Sequence, residues 1–338
     1  MTSRPPALLA GDLGATNVRL SFFDEEGGRL VPGWSVQYRV AGLSGIREAI
    51  ERFLLDSTEA GELRPVSAAA LGVAGPVRAG RVVSMQIPWE VDEATIALAL
   101  GIGSVRIVND LFVNALGLRE VAPGDFAVLN DGVEEPDGNG VLLSPGTGLG
   151  ESILVREGPG FRPIPSEGGN ASFAPRNADE IALLEWLMGE FGHVSCERVL
   201  SGPGLANLYR FERSRSREPE PRWLTERIAE LGDVAPAVTE AALAERDPAC
   251  QRTLERFASI LGGEAGNLAL KGLATGGVYL GGGIPPKILP KLRDGSFFAA
   301  FCDKGRLGPL LSRMPVKVVL DDRCALLGAA RVASSTFR

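Results

Sequence analysis

Asp110 directly follows an apolar, strand-like run, Val105–Asn109, and two glycine-rich segments flank it in the sequence. The first is Gly11–Asn17 (GDLGATN) and the second is Ser144–Gly150 (SPGTGLG). Glycine turns expose backbone N–H groups that hold phosphate without adding charge, and a carboxylate at a strand end can take a proton from a hydroxyl. Together these residues favour transfer of a phosphoryl group from a nucleotide to an alcohol.

The first glycine segment offers polar side chains as well as backbone. Asp12 suits Mg²⁺, because this ion usually takes one or two carboxylates together with water and phosphate oxygens. Gly14 lets the backbone approach a phosphate, and Thr16 and Asn17 add short donors. An ordinary β-hairpin turn rich in glycine and asparagine explains the segment equally well.

Two further glycine clusters each follow an apolar segment of strand length. They are Gly146, Thr147 and Gly148 in one cluster and Gly281, Gly282 and Gly283 in the other. The second precedes Pro285, which we expect to open a helix, and this order suits a nucleotide at the carboxyl end of a strand. Neither cluster has Walker or dinucleotide-binding spacing, and a tight hairpin is the plain alternative for the first. Three glycine clusters that all follow strands nevertheless favour a nucleotide site.

Two glutamates in loop-like segments are candidates for binding a polyol. Glu167 lies in SEGGN and Glu197 lies in HVSCER. A carboxylate accepts hydrogen bonds from two neighbouring hydroxyls, although a single glutamate is usually a solvated surface residue. Asp110 fits a free surface position poorly, because it stands between Asn109 and an apolar predicted helix.

Composition restricts the class of protein. The chain has 338 residues, 45% of them apolar, and a formal net charge of −7. The length suffices for two domains with hydrophobic cores, and the negative charge argues against an extended nucleic-acid surface. The single histidine, His193, excludes zinc sites with several imidazoles, and we expect it to be structural. Four scattered cysteines without a Cys-x-x-Cys pair indicate reduced thiols.

We expect a cytoplasmic protein without a membrane partner. The apolar stretch near the start, Ala7–Ala10, is too short for a secretory signal. The longest apolar runs are of strand length, whereas a membrane span needs about 20 residues.

Strand-like and helix-like patterns alternate along the chain. In the N-terminal third we expect strands at 7–12, 17–23, from 29, 67–74 and 105–109, and helices after a cap at Ser44, at 92–100 and from Leu111. Further on we expect strands at 126–129, 140–144, 151–155, 277–281 and 316–320, helices across 178–271 with an exposed loop at Glu212–Pro221, and a last helix from Ala325. The crossover rule makes the later N-terminal strands parallel to the first. Glycine turns after strands in both halves indicate two related lobes with ligands between them.

In this order the motifs resemble those of the bacterial ATP-dependent glucokinases. They are GDLGATNVRL (11–20), ND (109–110), GTGLG (146–150), EGG (167–169), HVSCERVLSGPGL (193–205) and GGGI (281–284). The similarity extends over nearly the whole chain and is to the type without the zinc-binding cysteine cluster. It implies an α/β, two-lobed hexokinase/actin-like (ribonuclease H-like) fold with a central cleft. The implied lobes are 1–110 plus 322–338 and 111–321.

The resemblance also implies a reaction, in which ATP with Mg²⁺ phosphorylates the 6-hydroxyl of glucose. Asp110 would be the base, and Asn109 and Asp110 would hold the 3- and 4-hydroxyls. Glu167 and Glu197 would bind the remaining hydroxyls. The implied nucleotide contacts are Gly11, Asp12, Gly14, Thr16, Asn17, Gly146, Thr147 and Gly148 at the phosphates, with Asp12 on the Mg²⁺ side, and Gly281, Gly282 and Gly283 at the adenosine.

Two positions depart from the family pattern. Asn170 stands where the family usually has histidine, and Gln86 lies in MQIPW where the family usually has Thr-Asn before the tryptophan. Both are presumed sugar contacts, and both side chains still donate and accept hydrogen bonds. A displaced hydroxyl contact shifts preference among sugars.

Three alternatives stay open at this point. A kinase for mannose or glucosamine would explain the two departures. A non-catalytic sugar sensor or regulator would carry a DNA-binding module, whereas this chain begins directly with the first strand. An actin- or chaperone-like ATPase would have no reason for Glu167 and Glu197. We expect a small-molecule sugar as partner and no nucleic acid; a homodimer, and ADP or polyphosphate as donor, are not decided.

Overall fold

The computed structural model describes residues 5–82, 87–158 and 160–335. The chain divides into two compact units. The first unit takes its residues from Met1–Asp125, Gly160–Pro165 and Asp321–Arg338, and the second from Phe126–Pro159 and Ser166–Leu320. Gln86, a predicted sugar contact, lies outside the described residues.

Strands and helices alternate through both units. The strands are β1 (Ala7–Leu13), β2 (Asn17–Glu26), β3 (Arg29–Arg39), β4 (Val66–Val73), β5 (Val77–Arg78), β6 (Arg81–Val82), β7 (Val91–Asp92), β8 (Val105–Asn109), β9 (Phe126–Asn130), β10 (Gly140–Pro145), β11 (Leu149–Glu157), β12 (Gly160–Ile164), β13 (Gly277–Leu280) and β14 (Val316–Val319). The helices are α1 (Ile46–Glu59), α2 (Glu93–Leu100), α3 (Asp110–Gly117), α4 (Ala178–Phe191), α5 (Gly202–Ser214), α6 (Arg222–Leu231), α7 (Val234–Leu243), α8 (Pro248–Gly272), α9 (Leu289–Leu292), α10 (Ser296–Cys302), α11 (Gly308–Leu311) and α12 (Cys324–Ser335).

The first unit is built on a sheet with the strand order β3-β2-β1-β4-β8. β1 and β3 are antiparallel to β2, whereas β1, β4 and β8 are parallel to one another. This confirms the predicted βββαβαβ order with the later strands parallel to the first. The β2–β3 turn is Gly27–Gly28, where both φ angles are positive (59° and 84°), a conformation that glycine adopts without a steric penalty.

Helix α1 packs on this sheet, but its predicted cap is wrong. The ring of Phe53 lies edge-on against Phe22 of β2, with 4.8 Å between centroids. Gly45 precedes the helix and makes no side-chain cap, which places Ser44 one residue too early to cap it. Ser44 instead donates through its N–H and Oγ to Oε2 of Glu48, at 2.6 and 2.7 Å. The helix still begins where its apolar stripe predicts.

Helix α3 belongs to the first unit, which differs from the lobe boundary predicted after Asp110. α3 packs tightly on α12, because a Cβ on Gly328 of α12 would collide with the backbone oxygen of Val113 in α3. Residues up to Asp125 therefore group with the first unit. The lobe limits 1–110 plus 322–338 stay a prediction.

The second unit shares part of the strand pattern of the first. Its strands lie in the order β11-β10-β13-β14-β9. β10 and β11 form an antiparallel hairpin, β10, β13 and β14 are parallel, and β9 is antiparallel to β14 at the edge. A hairpin followed by parallel strands thus occurs in both units, which supports the predicted relation between the two halves.

Most residues of the long helix α8 are buried in the second unit. Contacts that α8 makes with α5 correct one prediction. The sequence predicts an exposed loop at Glu212–Pro221, but α5 continues to Ser214 and Glu212 is only 3% exposed. Glu212 accepts hydrogen bonds from Arg252 and Arg256 of α8, at 3.0 and 2.7 Å. A buried carboxylate needs such partners, so the acidic residue marks helix packing. Among the described residues, no helix combines the length and apolar character that crossing a membrane requires.

Candidate active site

Two carboxylates of the first unit lie at the carboxyl ends of parallel strands. Asp12 is the next-to-last residue of β1, and Asp110 follows β8 directly, with β4 between these strands. The register aligns Gly72 of β4 with Asp12 on one side and with Val108 on the other. A Cβ on Gly72 would lie 3.4 Å from Cα of Asp110 and would collide with Val113. Glycine at this position therefore allows the start of α3 to lie against β4.

The charge of Asp110 affects the protonation of Asp12. Burial raises the pKa of Asp12 to about 6; Arg19 opposes this shift, and Asp110 adds to it. Arg19 is the cross-strand neighbour of Asp12 and is held by Oε1 of Gln37 and the backbone oxygen of Asp322, at 3.0 and 2.8 Å. A bound cation would favour the ionised form of Asp12, because a nearby positive charge lowers the pKa of a carboxyl group.

Asn109 and Asp110 form the junction between β8 and α3. Oδ1 of Asn109 caps the helix by accepting from the N–H groups of Leu111 and Phe112, at 3.0 and 3.2 Å. Nδ2 of Asn109 donates to the backbone oxygen of Gly75 at 3.3 Å. Oδ1 of Asp110 accepts from the N–H of Leu111 at 2.9 Å. These bonds fix the direction of both half-buried side chains.

The first glycine turn contains one glycine required by packing and one surrounded by open space. A Cβ on Gly11 would lie 2.6 Å from Cγ of Leu71, so this glycine permits packing of the sheet. A Cβ on Gly14 would meet only the backbone oxygen of Asn17, at 3.9 Å, to which the N–H of Gly14 donates. Thr16 is exposed, and Oδ1 of Asn17 is buried without a hydrogen-bond partner among the described residues.

The second glycine turn is held by the segment that carries Glu197. The N–H of Gly146 donates to the oxygen of Gly148, and the N–H of Gly202 donates to the oxygen of Gly146, both at 2.8 Å. Oε2 of Glu197 accepts from the N–H of Leu149 at 2.9 Å. The same oxygen lies 2.5 Å from the position of a Cβ on Gly148. The structure therefore brings together Glu197 and a turn that is distant from it in sequence, and it leaves Thr147 exposed at the tip.

The third glycine cluster, Gly281–Gly283, lies against this second turn. Gly282 has a positive φ (78°), and a Cβ there would lie 2.5 Å from the oxygen of Pro145. The N–H nitrogen of Gly283 lies 4.0 Å from the Cβ position of Gly146. The predicted helix from Pro285 is a 3-10 helix of four residues, Pro285–Ile288. So short a helix has a weak dipole, and the cluster offers backbone N–H groups instead.

Glu167 precedes a 3-10 turn, Gly168–Asn170, that ends at Asn170 and lies on β11. A Cβ on Gly169 would collide with the backbone of β11, so this glycine allows the close approach. Both Glu167 and Asn170 are exposed. Nε2 of the exposed His193 lies 3.3 Å from the backbone oxygen of Asn170. These contacts join the two segments that carry Glu167 and Glu197.

Glu151 is a neighbour of this turn that sequence reasoning missed. It is 2% exposed, and its Oε2 lies 2.5 Å from the Cβ position of Gly168. Burial raises the pKa of Glu151 to about 7, Glu264 adds to the shift and Lys271 opposes it. The available signal was a glutamate directly after GTGLG in a buried strand, where charged residues are rare.

Comparison with known proteins assigns this chain to a family. The sequence profile of the Glucokinase family matches residues 9–336. A glucokinase of Nostoc punctiforme is 34% identical over 97% of this chain and 98% of its own length. This chain belongs to the glucokinase family. The predicted class of enzyme is thereby confirmed.

Solved structures of glucokinases share the fold. The glucokinase of an Antarctic psychrotroph has a TM-score of 0.78 at 28% identity, over 98% of this chain and 100% of that structure. A ROK-family glucokinase of Streptomyces griseus, solved with glucose and AMPPNP, has a TM-score of 0.67 at 20% identity, over 97% and 99% of the two chains. The predicted α/β fold of the hexokinase/actin type is confirmed.

Proposed function

We propose that this protein transfers the γ-phosphoryl group of ATP to the 6-hydroxyl of glucose, giving glucose 6-phosphate and ADP. The observation that carries this proposal is the pair Asp12 and Asp110, at the ends of parallel strands in a chain of the glucokinase family. One carboxylate suits proton transfer and the other suits a divalent cation. Because the reaction consumes ATP, we assign it to the cytoplasm.

Asp110 is the proposed general base. It accepts the proton of the 6-hydroxyl while that oxygen forms a bond to the γ-phosphorus. The bond from the γ-phosphorus to the β–γ bridging oxygen breaks, and ADP leaves. The hydrogen bond from the N–H of Leu111 holds the carboxylate of Asp110 in one direction, which favours reaction from a single sugar pose.

Four further residues are assigned to the sugar hydroxyls. Glu167 and Glu197 accept from pairs of neighbouring hydroxyls, and Asn109 and Asn170 contribute amide groups. Oε2 of Glu197 already accepts from a backbone N–H, so we assign its other carboxylate oxygen to the sugar. Oδ1 of Asn109 caps α3, so we assign the remaining hydrogen of its Nδ2 to the sugar.

The glycine turns are assigned to the nucleotide. Gly14, Thr16 and Asn17 in the first unit and Gly146, Thr147 and Gly148 in the second are the proposed phosphate contacts. Gly281, Gly282 and Gly283 border the adenosine in this proposal. Backbone N–H groups suit this role, because they stabilise phosphate charge and need little reorganisation during the reaction. The N–H groups of Gly14, Gly146 and Gly281 donate to backbone oxygens within the protein, so we assign the phosphates to the N–H groups of the neighbouring turn residues.

Asp12 is the residue that we assign to Mg²⁺. In the described part of the chain, no three His, Cys, Asp or Glu side chains are arranged to hold a metal ion. One carboxylate nevertheless fits Mg²⁺, which takes its other ligands from water and phosphate. When bound, this ion neutralises charge that develops on the phosphate oxygens.

A coupled assay across hexoses and phosphoryl donors tests the proposal. We expect glucose with ATP to give the highest kcat/KM. A higher kcat/KM with mannose or glucosamine would change the assigned substrate, and Asn170 in place of the usual histidine is the reason to include them. ATP turnover without any sugar would indicate an ATPase, and sugar binding without turnover would indicate a sensor.

A further inference from the structure

Glu151 lies beneath the loop that carries two of the proposed sugar-binding residues, Glu167 and Asn170. Within this loop, Ser166–Asn170, the position of a Cβ on Gly168 lies 2.5 Å from Oε2 and 3.1 Å from Cβ of Glu151. The side chain of Glu151 is therefore in direct contact with the loop backbone. A change in the charge or position of the Glu151 side chain therefore affects this loop directly.

A second buried carboxyl group, that of Glu264, adds to the raised pKa of Glu151. Glu264 of α8 is 7% exposed and has three partners: the thiol of Cys196 donates to it, Nδ2 of Asn267 donates to its Oε2 at 2.8 Å, and Nζ of Lys271 lies 3.8 Å from its Oε1. Oε1 of Glu151 is buried and has no hydrogen-bond partner among the described residues. Lys271 and Asn267 therefore contact Glu264 and not Oε1 of Glu151.

The other ionisable groups near this pair include a thiol and a second lysine, Lys304, which interacts with Glu264 and whose Nζ donates to the backbone oxygen of Gly263 and to Oδ1 of Asn267, at 2.9 and 2.7 Å. Burial, and then Glu264 and Glu151, raise the pKa of the Cys196 thiol, so that it stays neutral. The loop itself contributes the carboxylate of Glu167, and α8 contributes Lys271, whose Nζ pairs with Glu264. Of these groups, Glu264 raises the pKa of Glu151, and Lys271, which lies 3.8 Å from Oε1 of Glu264, opposes that shift.

These surroundings decide which carboxyl group keeps its proton. A buried carboxyl group without a partner ionises only at a large cost in free energy. Glu264 has the ammonium and amide partners and Oε1 of Glu151 has none, so the neutral form of Glu151 is favoured. This agrees with a pKa of Glu151 raised to about 7, chiefly by burial. An ionised Glu151 would place an uncompensated negative charge directly under Gly168 and near that of Glu264.

We propose that Glu151 is a positioning residue: as a neutral acid it supports the loop Ser166–Asn170, and release of its proton to solvent displaces the loop and weakens sugar binding. The inference rests on the proposed sugar-binding role of Glu167 and Asn170. The direction in which sugar affinity changes with pH follows from the raised pKa of Glu151. Sugar affinity is retained while Glu151 is protonated and is lost as the pH rises through about 7.

Calorimetric titration of glucose without nucleotide tests this directly, because it removes ATP and Mg²⁺ from the pH dependence. For the unmodified protein we expect the Kd for glucose to rise about tenfold between about pH 6 and about pH 8. Glu151→Gln has the shape of the neutral acid and no proton to lose. We expect its Kd to equal the unmodified value near pH 6 and to stay constant. The matched control, Glu185→Gln on the exposed face of α4, keeps the unmodified pH dependence.

Glu264→Gln gives a second, independent readout. Removing its negative charge makes ionisation of Glu151 easier, so we expect the rise in Kd to move to lower pH. This variant also decides the matter if circular dichroism shows that Glu151→Gln does not fold. An unchanged transition in Glu264→Gln overturns the inference. So does a folded Glu151→Gln that keeps the unmodified pH dependence or binds glucose weakly at both pH values.

The proposed function and this inference fail in different ways. A protein that binds and phosphorylates glucose with a constant Kd across this pH range overturns only the role of Glu151. A protein that neither binds nor phosphorylates glucose at any pH overturns the proposed function and the inference with it.

Discussion

Both units contain an antiparallel hairpin with a glycine turn beside parallel strands, yet the two turns have different surroundings. In the first unit Asp12 lies near the end of β1, just before the β1–β2 turn, and Asp110 follows β8, which β4 separates from β1. In the second, Glu197 and Gly202 hold the β10–β11 turn, and Gly281–Gly283 lies against it. The same backbone pattern thus presents carboxylates in one unit and backbone N–H groups in the other. We assign proton and metal chemistry to the first and most phosphate binding to the second.

The largest effect is expected from Asp110→Ala, which removes the proposed base. We expect kcat to fall about a thousandfold, because general base catalysis contributes on this scale. Asp131→Ala, at an exposed position of the second unit, is the control and should leave kcat unchanged. Initial rates with saturating glucose and ATP measure both. Substantial activity in Asp110→Ala would show that Asp110 is not the base. Proton transfer could then not be assigned to the first unit.

Gly148→Ala tests the second turn. The added Cβ takes the place of Oε2 of Glu197 and breaks its hydrogen bond with the N–H of Leu149. We expect KM for both glucose and ATP to rise about tenfold, since one displaced carboxylate disturbs both proposed contacts. Gly189→Ala is the matched control, because a Cβ there meets no atom within 4 Å. Unchanged KM values in Gly148→Ala would show that the contact between Glu197 and the turn has no role in binding.

Asp12→Asn tests Mg²⁺ binding separately from glucose binding in the first unit. We expect the Mg²⁺ concentration for half-maximal rate to rise about tenfold, because the proposed site loses its only protein carboxylate. Glucose binding without nucleotide should not change. Asp137→Asn, at an exposed position, serves as control in the same Mg²⁺ titration. An unaltered Mg²⁺ requirement in Asp12→Asn would move the metal away from this residue.

The smallest effect is expected from Asn170→His, which restores the usual family residue. We expect the ratio of kcat/KM for glucose to that for mannose to change about threefold, since one exposed hydroxyl contact is altered. The same hexose panel measures it in both proteins. If the ratio stays constant, Asn170 does not contribute to sugar preference.

Local sequence signals were sufficient for most elements of the fold. Apolar runs marked β1 and β8, and Gly101 ends α2 in the left-handed conformation (φ 67°), as its position predicts. The errors have local causes that only the folded chain shows. Glu212 is charged yet buried because two arginines of another helix pair with it, and Ser44 bonds to Glu48 and does not cap α1.

The residues of the site also differ in whether the sequence alone could predict them. Motifs within one segment, such as Asn109–Asp110 after β8, could be recognised from order and spacing alone. Contacts between distant segments could not, because no local pattern indicates that Glu197 bonds to the N–H of Leu149. Glu151 was missed for this reason, since its partners Gly168 and Glu264 come from other elements.

The most direct test of the account measures turnover and glucose binding in the same sample of Asp110→Asn. Asparagine keeps the shape of aspartate and cannot take the proton of a hydroxyl. The account predicts that kcat falls about a thousandfold while the Kd for glucose stays within about threefold of the unmodified value. A kcat within about tenfold of the unmodified protein, or an equal loss of glucose binding, would contradict Asp110 as the base.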